Sequence, residues 1–218
     1  AVTEALYEAG YGSGSRLYEK APQQLGMTPA TYKQGGRGIV IRYSILSCPL
    51  GRLLIAGTER GVCAIRLGDS DEELEESLRR EFSAAEILRD DIALRAWAED
   101  LRQHLEGQVH LNLPLDIRAT AFQMRVWREL QKIPYGSTRS YSDVAASIGQ
   151  PSATRAVARA CATNPVAMVI PCHRVVRQDQ SLGGYRWGID RKRRLLEQES
   201  KGQLSKTAKR FVMQGNRK

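Results

Sequence analysis

A thiol and an imidazole stand side by side at Cys172 and His173, at the end of the run Val166-Ala167-Met168-Val169-Ile170-Pro171-Cys172-His173-Arg174. A cysteine is a nucleophile only as its thiolate, and cationic neighbours favour that form. His173, Arg174 and Arg177 supply positive charge along the chain, so the sequence predicts a thiol shifted toward the thiolate. A nucleophile also needs a base, and the base needs an orienting partner. His173 is the base within reach. Adjacent side chains point apart, so contact through a bridging water is expected, not a direct one. A carboxylate at Glu197 or Glu199, at the end of a basic helical stretch over 190–199, could orient the imidazole. The local pattern leaves that choice open. Cys48, Cys63 and Cys161 fall in a turn, a strand and a helix and read as structural thiols. There is no CxxC pair, and His104, His110 and His173 lack metal-ligand spacing, so neither a metal nor a cofactor is expected.

The chain that must position these residues has 218 residues, 42% hydrophobic and 26% charged, the composition of a folded domain. No apolar run approaches the ~20 residues that span a bilayer, and the charged residues 1–20 do not form a signal peptide. The thiols are therefore expected to stay reduced, in the cytoplasm. The chain begins at Ala1 without a methionine, as a processed protein or a piece of a longer one would. The net charge of +9 is unevenly spread. Residues 39–116 hold 9 basic and 15 acidic side chains, whereas residues 117–200 hold 14 basic and 6 acidic ones. Such a basic block suits a polyanion.

Periodicity divides the chain. Ile39–Leu46, Arg52–Ala56 and Val62–Leu67 read as a β-meander with turns at 48–51 and 58–61. Ser70 and Glu73 make a capping box for a helix with Leu74, Leu78 and Phe82 on one face. Leu94, Trp97, Ala98, Leu101 and Leu105 mark a second helix, stopped by Gly107, and Leu111–Ile117 returns to strand character. From Thr120 the pattern is helical. Thr120 with Gln123 caps one helix, Ser140 with Asp143 caps Tyr141–Ile148, and Ser152 caps Ala153–Thr163, which Asn164-Pro165 ends. The last two helices, joined by Gly149-Gln150-Pro151, describe a helix-turn-helix. Val166–Ile170 reads as a buried strand or extended segment, and residues 201–218, with six basic and no acidic side chains, as a largely disordered basic tail.

Ile170-Pro171-Cys172-His173-Arg174-Val175-Val176, followed by Gly184-Tyr185-Arg186-Trp187-Gly188 and by Arg191-Lys192, Leu195-Leu196 and Glu199, resembles the O6-alkylguanine-DNA alkyltransferase family. The resemblance implies an α+β chain. Residues 39–116 would be a ribonuclease-H-like subdomain, and residues 117–200 an all-α, winged-helix-like catalytic domain that binds DNA. It places the alkyl acceptor on Cys172 and the relay on His173 and Glu199, choosing Glu199 over Glu197. It places a hinge asparagine on Asn164 and the tyrosine that opens the helix-turn-helix on Tyr141. The arginine that fills the gap left by a flipped base falls on Arg155, with Ala156 and Ala160 letting its helix approach the duplex. The implied reaction is a single-turnover transfer from O6-alkylguanine, and from O4-alkylthymine, in double-stranded DNA. It needs no cofactor and no membrane, and a monomer suffices. Residues 1–36, with Gly10-Tyr11, Ser13, Ser15-Arg16-Leu17-Tyr18 and Leu25-Gly26-Met27-Thr28-Pro29, are similar to part of an AraC-type helix-turn-helix. That pairing implies a further role in transcription regulation.

If the basic block meets phosphates, affinity for duplex DNA is expected to fall linearly with salt on a log–log plot, by fluorescence anisotropy. An affinity indifferent to salt would contradict the electrostatic reading.

Overall fold

The structure is a computed structural model that describes residues 34–107 and 111–215, with side chains described as far as Gly202. The expected helix-turn-helix of residues 1–36 falls almost wholly outside the described residues.

Strands β1 (Val40–Cys48), β2 (Gly51–Thr58) and β3 (Gly61–Gly68) form the expected antiparallel meander. Ser70 accepts from the Glu73 amide and opens α1 (Asp71–Glu81), whose Leu74 and Leu78 are buried. The chain returns through β4 (Glu86–Arg89), which runs parallel to β1 and completes a sheet of order β3-β2-β1-β4. β4 has no sequence signature: it is four residues long, has only two apolar side chains and depends on its pairing with β1. α2 (Arg95–Leu105) follows, and Gly107 ends it at φ +81°.

Neighbouring residues of β2 serve opposite faces. Leu54 and Ala56 pack with Ile41, Tyr43, Leu74 and Leu78 under α1. Leu53 and Ile55 join a second core that runs on into the C-terminal half through Val126, Trp127, Val157 and Ile170. That double burial explains the unbroken apolar run in β2.

The C-terminal half comprises α3 (Ala121–Gln131), α4 (Tyr141–Ser147), α5 (Thr154–Ala162) and α6 (Ile189–Gly215). The capping boxes Thr120/Gln123 and Ser140/Asp143 are both complete. Ser152 is no cap: Pro151–Ala153 forms a 3-10 turn, and α5 starts after Ala153 with no side-chain cap. Pro151 at the start of the turn supplies the preset φ that a capping serine would otherwise help impose. The half is not all-α, because β5 (Arg139–Ser140) pairs in parallel with β6 (Val175–Val176). These two-residue strands are too short to leave a periodic trace. Residues 201–215 of the tail expected to be disordered continue α6 instead. Lys, Gln, Leu and Ala are good helix formers, and no proline interrupts them. No described helix is long and apolar enough to cross a membrane.

Two expected strands become passing contacts on the edge of β3. Leu111–Ile117 makes one bridge, Leu115 to Val62, with the Val62 amide donating to the Pro114 carbonyl at 2.8 Å. Pro114 has no amide with which to extend a ladder. Val166–Ile170 makes one bridge, Val166 to Ile65, then turns at Met168, whose φ is +68°. Ile65 donates to the Pro165 carbonyl at 2.9 Å and accepts from the Ala167 amide at 3.2 Å. Ile65 thus joins the sheet to the segment that leads into Cys172.

Ile65→Ala is expected to cost about 2–5 kcal/mol, read by urea denaturation, with the two halves still melting together. Two separate transitions would show that the shared core does not couple them.

Candidate active site

Asn164 lies just beyond α5 and is fully buried. Its Nδ2 donates to the Ile170 carbonyl at 2.8 Å and to Cys172 Sγ at 3.3 Å, while Oδ1 accepts from the Val166 amide at 3.0 Å. One side chain therefore braces the whole loop that presents the thiol. Asn164 itself is fixed by Arg186 Nη1, which donates to its carbonyl at 3.2 Å.

Cys172 opens a 3-10 turn, Cys172–Arg174, and is 3% exposed. Burial pushes its pKa up to about 11, against the lowering influence of the Asn164 hydrogen bond, Lys192 and Arg186. The expected depressed pKa is thus reversed: burial outweighs the lowering contacts, and the cations adjacent in sequence are engaged elsewhere or exposed. Arg174 donates to Glu199 from Nε and Nη2 and to the Ile133 carbonyl from Nη1 at 2.7 Å, while Arg177 is exposed.

The cation that does serve the thiol is Lys192, which sequence reading missed. It is fully buried, and its Nζ donates to the carbonyls of Val175 at 2.6 Å, Leu182 and Gly184. Burial pulls its pKa down to about 8. Arg191-Lys192-Arg193-Arg194 looks like a solvated basic run. The available signal was spacing: Lys192, Leu195 and Glu199 fall at i, i+3 and i+7, on one face of a helix.

His173 is fully buried, with Nε2 2.8 Å from Glu199 Oε1. Burial lowers the imidazole pKa, and the bond to Glu199 opposes it. Glu199 also accepts from Arg174 and, at 2.9 Å, from the Gly136 amide. Gly136 turns that amide inward at φ +75°, a conformation glycine adopts freely. Burial alone would raise the Glu199 pKa, but the bonds from His173 and Arg174 win and hold it down at about 2. An ionised Glu199 requires Nε2 to carry the imidazole proton, which leaves Nδ1 as the acceptor.

Tyr141 begins α4 and is half-buried; burial, then Cys161 and Cys172, push its pKa up to about 12. It remains a neutral donor at physiological pH. Gly183, at φ +63°, faces it closely: a Cβ there would lie 3.2 Å from the Tyr141 hydroxyl. Arg155 and Ala156 lie exposed on α5. Ala160 does not share that surface. It is 2% exposed, packs in the core, and its carbonyl accepts from Trp127 Nε1 at 3.0 Å. The helix turns that residue inward, so Ala160 is no surface for DNA.

Tyr141, Asn164, Cys172, His173 and Glu199 therefore meet around one buried thiol, with Arg155 and Ala156 on an outer face. Two family models match this chain. The 6-O-methylguanine DNA methyltransferase ribonuclease-like domain matches residues 41–117, and the DNA binding domain of the same family matches residues 121–201. The inducible methylated-DNA–protein-cysteine methyltransferase of Bacillus subtilis is 38% identical over 73% of this chain and 90% of its own length. The chain belongs to the O6-methylguanine-DNA methyltransferase family. The bifunctional transcriptional activator/DNA repair enzyme Ada of Escherichia coli is 46% identical over 93% of this chain. The chain spans only 57% of the length of that relative. The crystal structure of Mycobacterium tuberculosis O6-methylguanine methyltransferase superposes with a TM-score of 0.63 at 35% identity, covering 74% of this chain and 93% of that one. The structure of Mycobacterium tuberculosis OGT in complex with DNA gives 0.64 at 35% identity, over 75% and 94%.

The buried pair sets an acid limit on stability. Glu199 has its pKa lowered from 4.5 to about 2, so its contribution is present above the unfolded value and is lost as pH falls toward about 2. His173 is also lowered, from 6.5, so its neutral form contributes above that value and loses ground below it. Both signs agree: urea stability is expected to decline on acidification from about pH 6.5. Glu199→Gln is expected to cost about 3–5 kcal/mol at neutral pH, because Arg174 stays buried without its counterion, and to flatten the slope below about pH 5. An unchanged acid slope would count against this assignment.

Proposed function

We propose that this chain repairs DNA by direct transfer of a methyl or larger alkyl group from O6-alkylguanine, and from O4-alkylthymine, to Cys172. The observation that carries the reading is the buried thiol braced by Asn164 beside the His173–Glu199 pair. The names of the full-length relatives support the same activity.

The target atom lies inside the duplex, so the base must be extruded at a cost of a few kcal/mol. Arg155 and Ala156, exposed on α5, would meet the DNA, with Arg155 filling the vacated stack. The Cys172 proton passes through a bridging water to His173 Nδ1, and the imidazolium so formed is stabilised by ionised Glu199. The sulfur attacks the alkyl carbon, an S–C bond forms, and the C–O6 bond breaks with its electron pair going to the base. Tyr141 assists that leaving group by hydrogen bonding or proton donation. Lys192 stabilises the thiolate. The thioether has no route back to the thiol, so each molecule acts once. The protein would act as a cytoplasmic monomer on alkylated duplex DNA. Residues 1–36, similar to part of an AraC-type module, would give it a second DNA contact and a residual regulatory role, a reading supported by the name of the Escherichia coli relative, a bifunctional transcriptional activator and DNA repair enzyme.

Incubation with an oligonucleotide carrying O6-methylguanine is expected to add one methyl group to the peptide containing Cys172. Cys172→Ala should abolish transfer while retaining DNA binding. A methyl group on Cys48 or Cys63 would overturn the acceptor assignment.

Arg155→Ala separates a wedge from a phosphate contact. A wedge stabilises only the extruded state, and losing about 1.4 kcal/mol there slows transfer in duplex DNA about tenfold. Reaction with free O6-methylguanine, which needs no flipping, should hardly change. Equal loss on both substrates, measured as single-turnover rates at saturating DNA, would rule out the wedge.

A further inference from the structure

Two polar atoms beside Cys172 are buried without a hydrogen-bond partner among the described residues: His173 Nδ1 and the hydroxyl of Tyr185. Their rings meet edge to face, with centroids 6.5 Å apart and planes at 79°. The attitude of Tyr185 is unusual. A tyrosine near a surface normally rests its ring on apolar neighbours and keeps its hydroxyl in water. Here the residue as a whole is partly exposed, whereas its hydroxyl is buried. Trp187 packs against the ring at 5.1 Å, and Arg191 Nη1 fixes Trp187 by donating to its carbonyl at 2.9 Å. The polar end is held inward.

The two atoms are complementary. With Nε2 committed to Glu199, His173 Nδ1 is an acceptor. Burial first, then Cys172 and Glu199, raise the Tyr185 pKa well above the ordinary phenol value. The phenol therefore keeps its proton and remains a donor. A buried donor and a buried acceptor that do not satisfy each other, beside a thiol, are the partners that a structural water requires.

We propose that the Tyr185 hydroxyl, His173 Nδ1 and Cys172 Sγ hold one water between them, which makes Tyr185 a positioning residue for removal of the thiol proton. The water accepts from the Cys172 S–H and the Tyr185 O–H and donates to His173 Nδ1. As the thiol proton moves to the water oxygen, a water proton moves to Nδ1. The products are a thiolate, an imidazolium and the same water. Tyr185 keeps its own proton throughout, and its donated bond orients the water oxygen toward the thiol.

The other groups around this water stay constant when the hydroxyl is removed. Cys172 also faces Lys192, Arg186, Tyr141 and Cys161. His173 faces Glu199, Arg174 and His104, and Tyr185 faces Arg191. Tyr185→Phe therefore subtracts one donor and keeps the ring.

The inference rests on Cys172 as acceptor, so two rates are needed across pH 5.5–10: single-turnover methyl transfer from duplex DNA, and labelling of Cys172 by iodoacetamide without DNA. Tyr185→Phe is expected to melt as the wild type does and to lose about tenfold in both rates at neutral pH. With the wild-type thiol at about 11, both rates should rise with pH through this window, the Tyr185→Phe limb displaced up by about one unit. An unchanged profile, or a Tyr185→Phe protein that loses methyl transfer but keeps wild-type iodoacetamide labelling, would overturn the role and leave Tyr185 as ring packing alone. A wild type that transfers no methyl would defeat the acceptor reading instead, while iodoacetamide labelling still tests Tyr185. Should Tyr185→Phe not fold, 3-fluorotyrosine placed at position 185 keeps the ring and strengthens the donor. It is expected to move the alkaline limb down, and an unmoved limb overturns the proposal.

Discussion

Glu199 is the residue on which the catalytic half depends. Its carboxylate is 3% exposed and ionised, and it collects bonds from His173, from Arg174 and from the Gly136 amide. An ion taken out of water loses several kcal/mol, and only a complete set of partners offsets that loss. Those partners come from two places, the turn that carries the thiol and the loop after α3, and meet a carboxylate carried by the third element, α6. Satisfying the charge therefore fixes where each of the three must be. The same demand orients the imidazole, because only one ring nitrogen can donate to the carboxylate.

The thiol is governed by a contrary requirement. Burial protects it from adventitious reaction but stabilises its protonated form. The structure resolves this by placing the means of ionisation in the same enclosure. Asn164 donates to the sulfur, Lys192 supplies a cation whose own pKa is lowered by burial, and His173 offers an open acceptor atom. Met168, a non-glycine residue at φ +68°, shows that the loop into Cys172 is also held in a sparsely populated conformation. Fully bonded Asn164 and the edge of β3 over-determine it.

The sheet half is a frame for this arrangement. Ile65 bonds the segment that follows Asn164, and Arg191 on α6 donates to the Leu50 carbonyl and pairs with Asp69. Arg194 reaches the carbonyl of Pro49 in the same turn. One turn of α6 therefore leans on the β1–β2 turn, while Lys192 and Glu199 project from a different face into the site. The uneven charge follows this division, with the acidic half supporting and the basic half carrying the exposed surface of α5.

The elements with strong local chemistry were legible from the sequence alone: the β-meander, the capped helices α1, α3 and α4, the stop at Asn164, and Cys172 as the thiol worth watching. Each is determined within a few residues, by alternation, by a cap or by a proline. Resemblance to a family, not local pattern, selected Glu199 over Glu197. Only the tertiary structure decided the rest. β4, the β5–β6 pair and the passing contacts of Leu115 and Val166 exist because distant strands offer them partners. Ala160 lies in the core although the family resemblance set it beside Ala156 on the face that approaches DNA. The ionisation of Cys172 was misread because its sequence neighbours, Arg174 and Arg177, are engaged or exposed, while Lys192, twenty positions away, faces the sulfur. Electrostatic influence depends on distance through space and on burial, and neither is written in the order of residues along the chain.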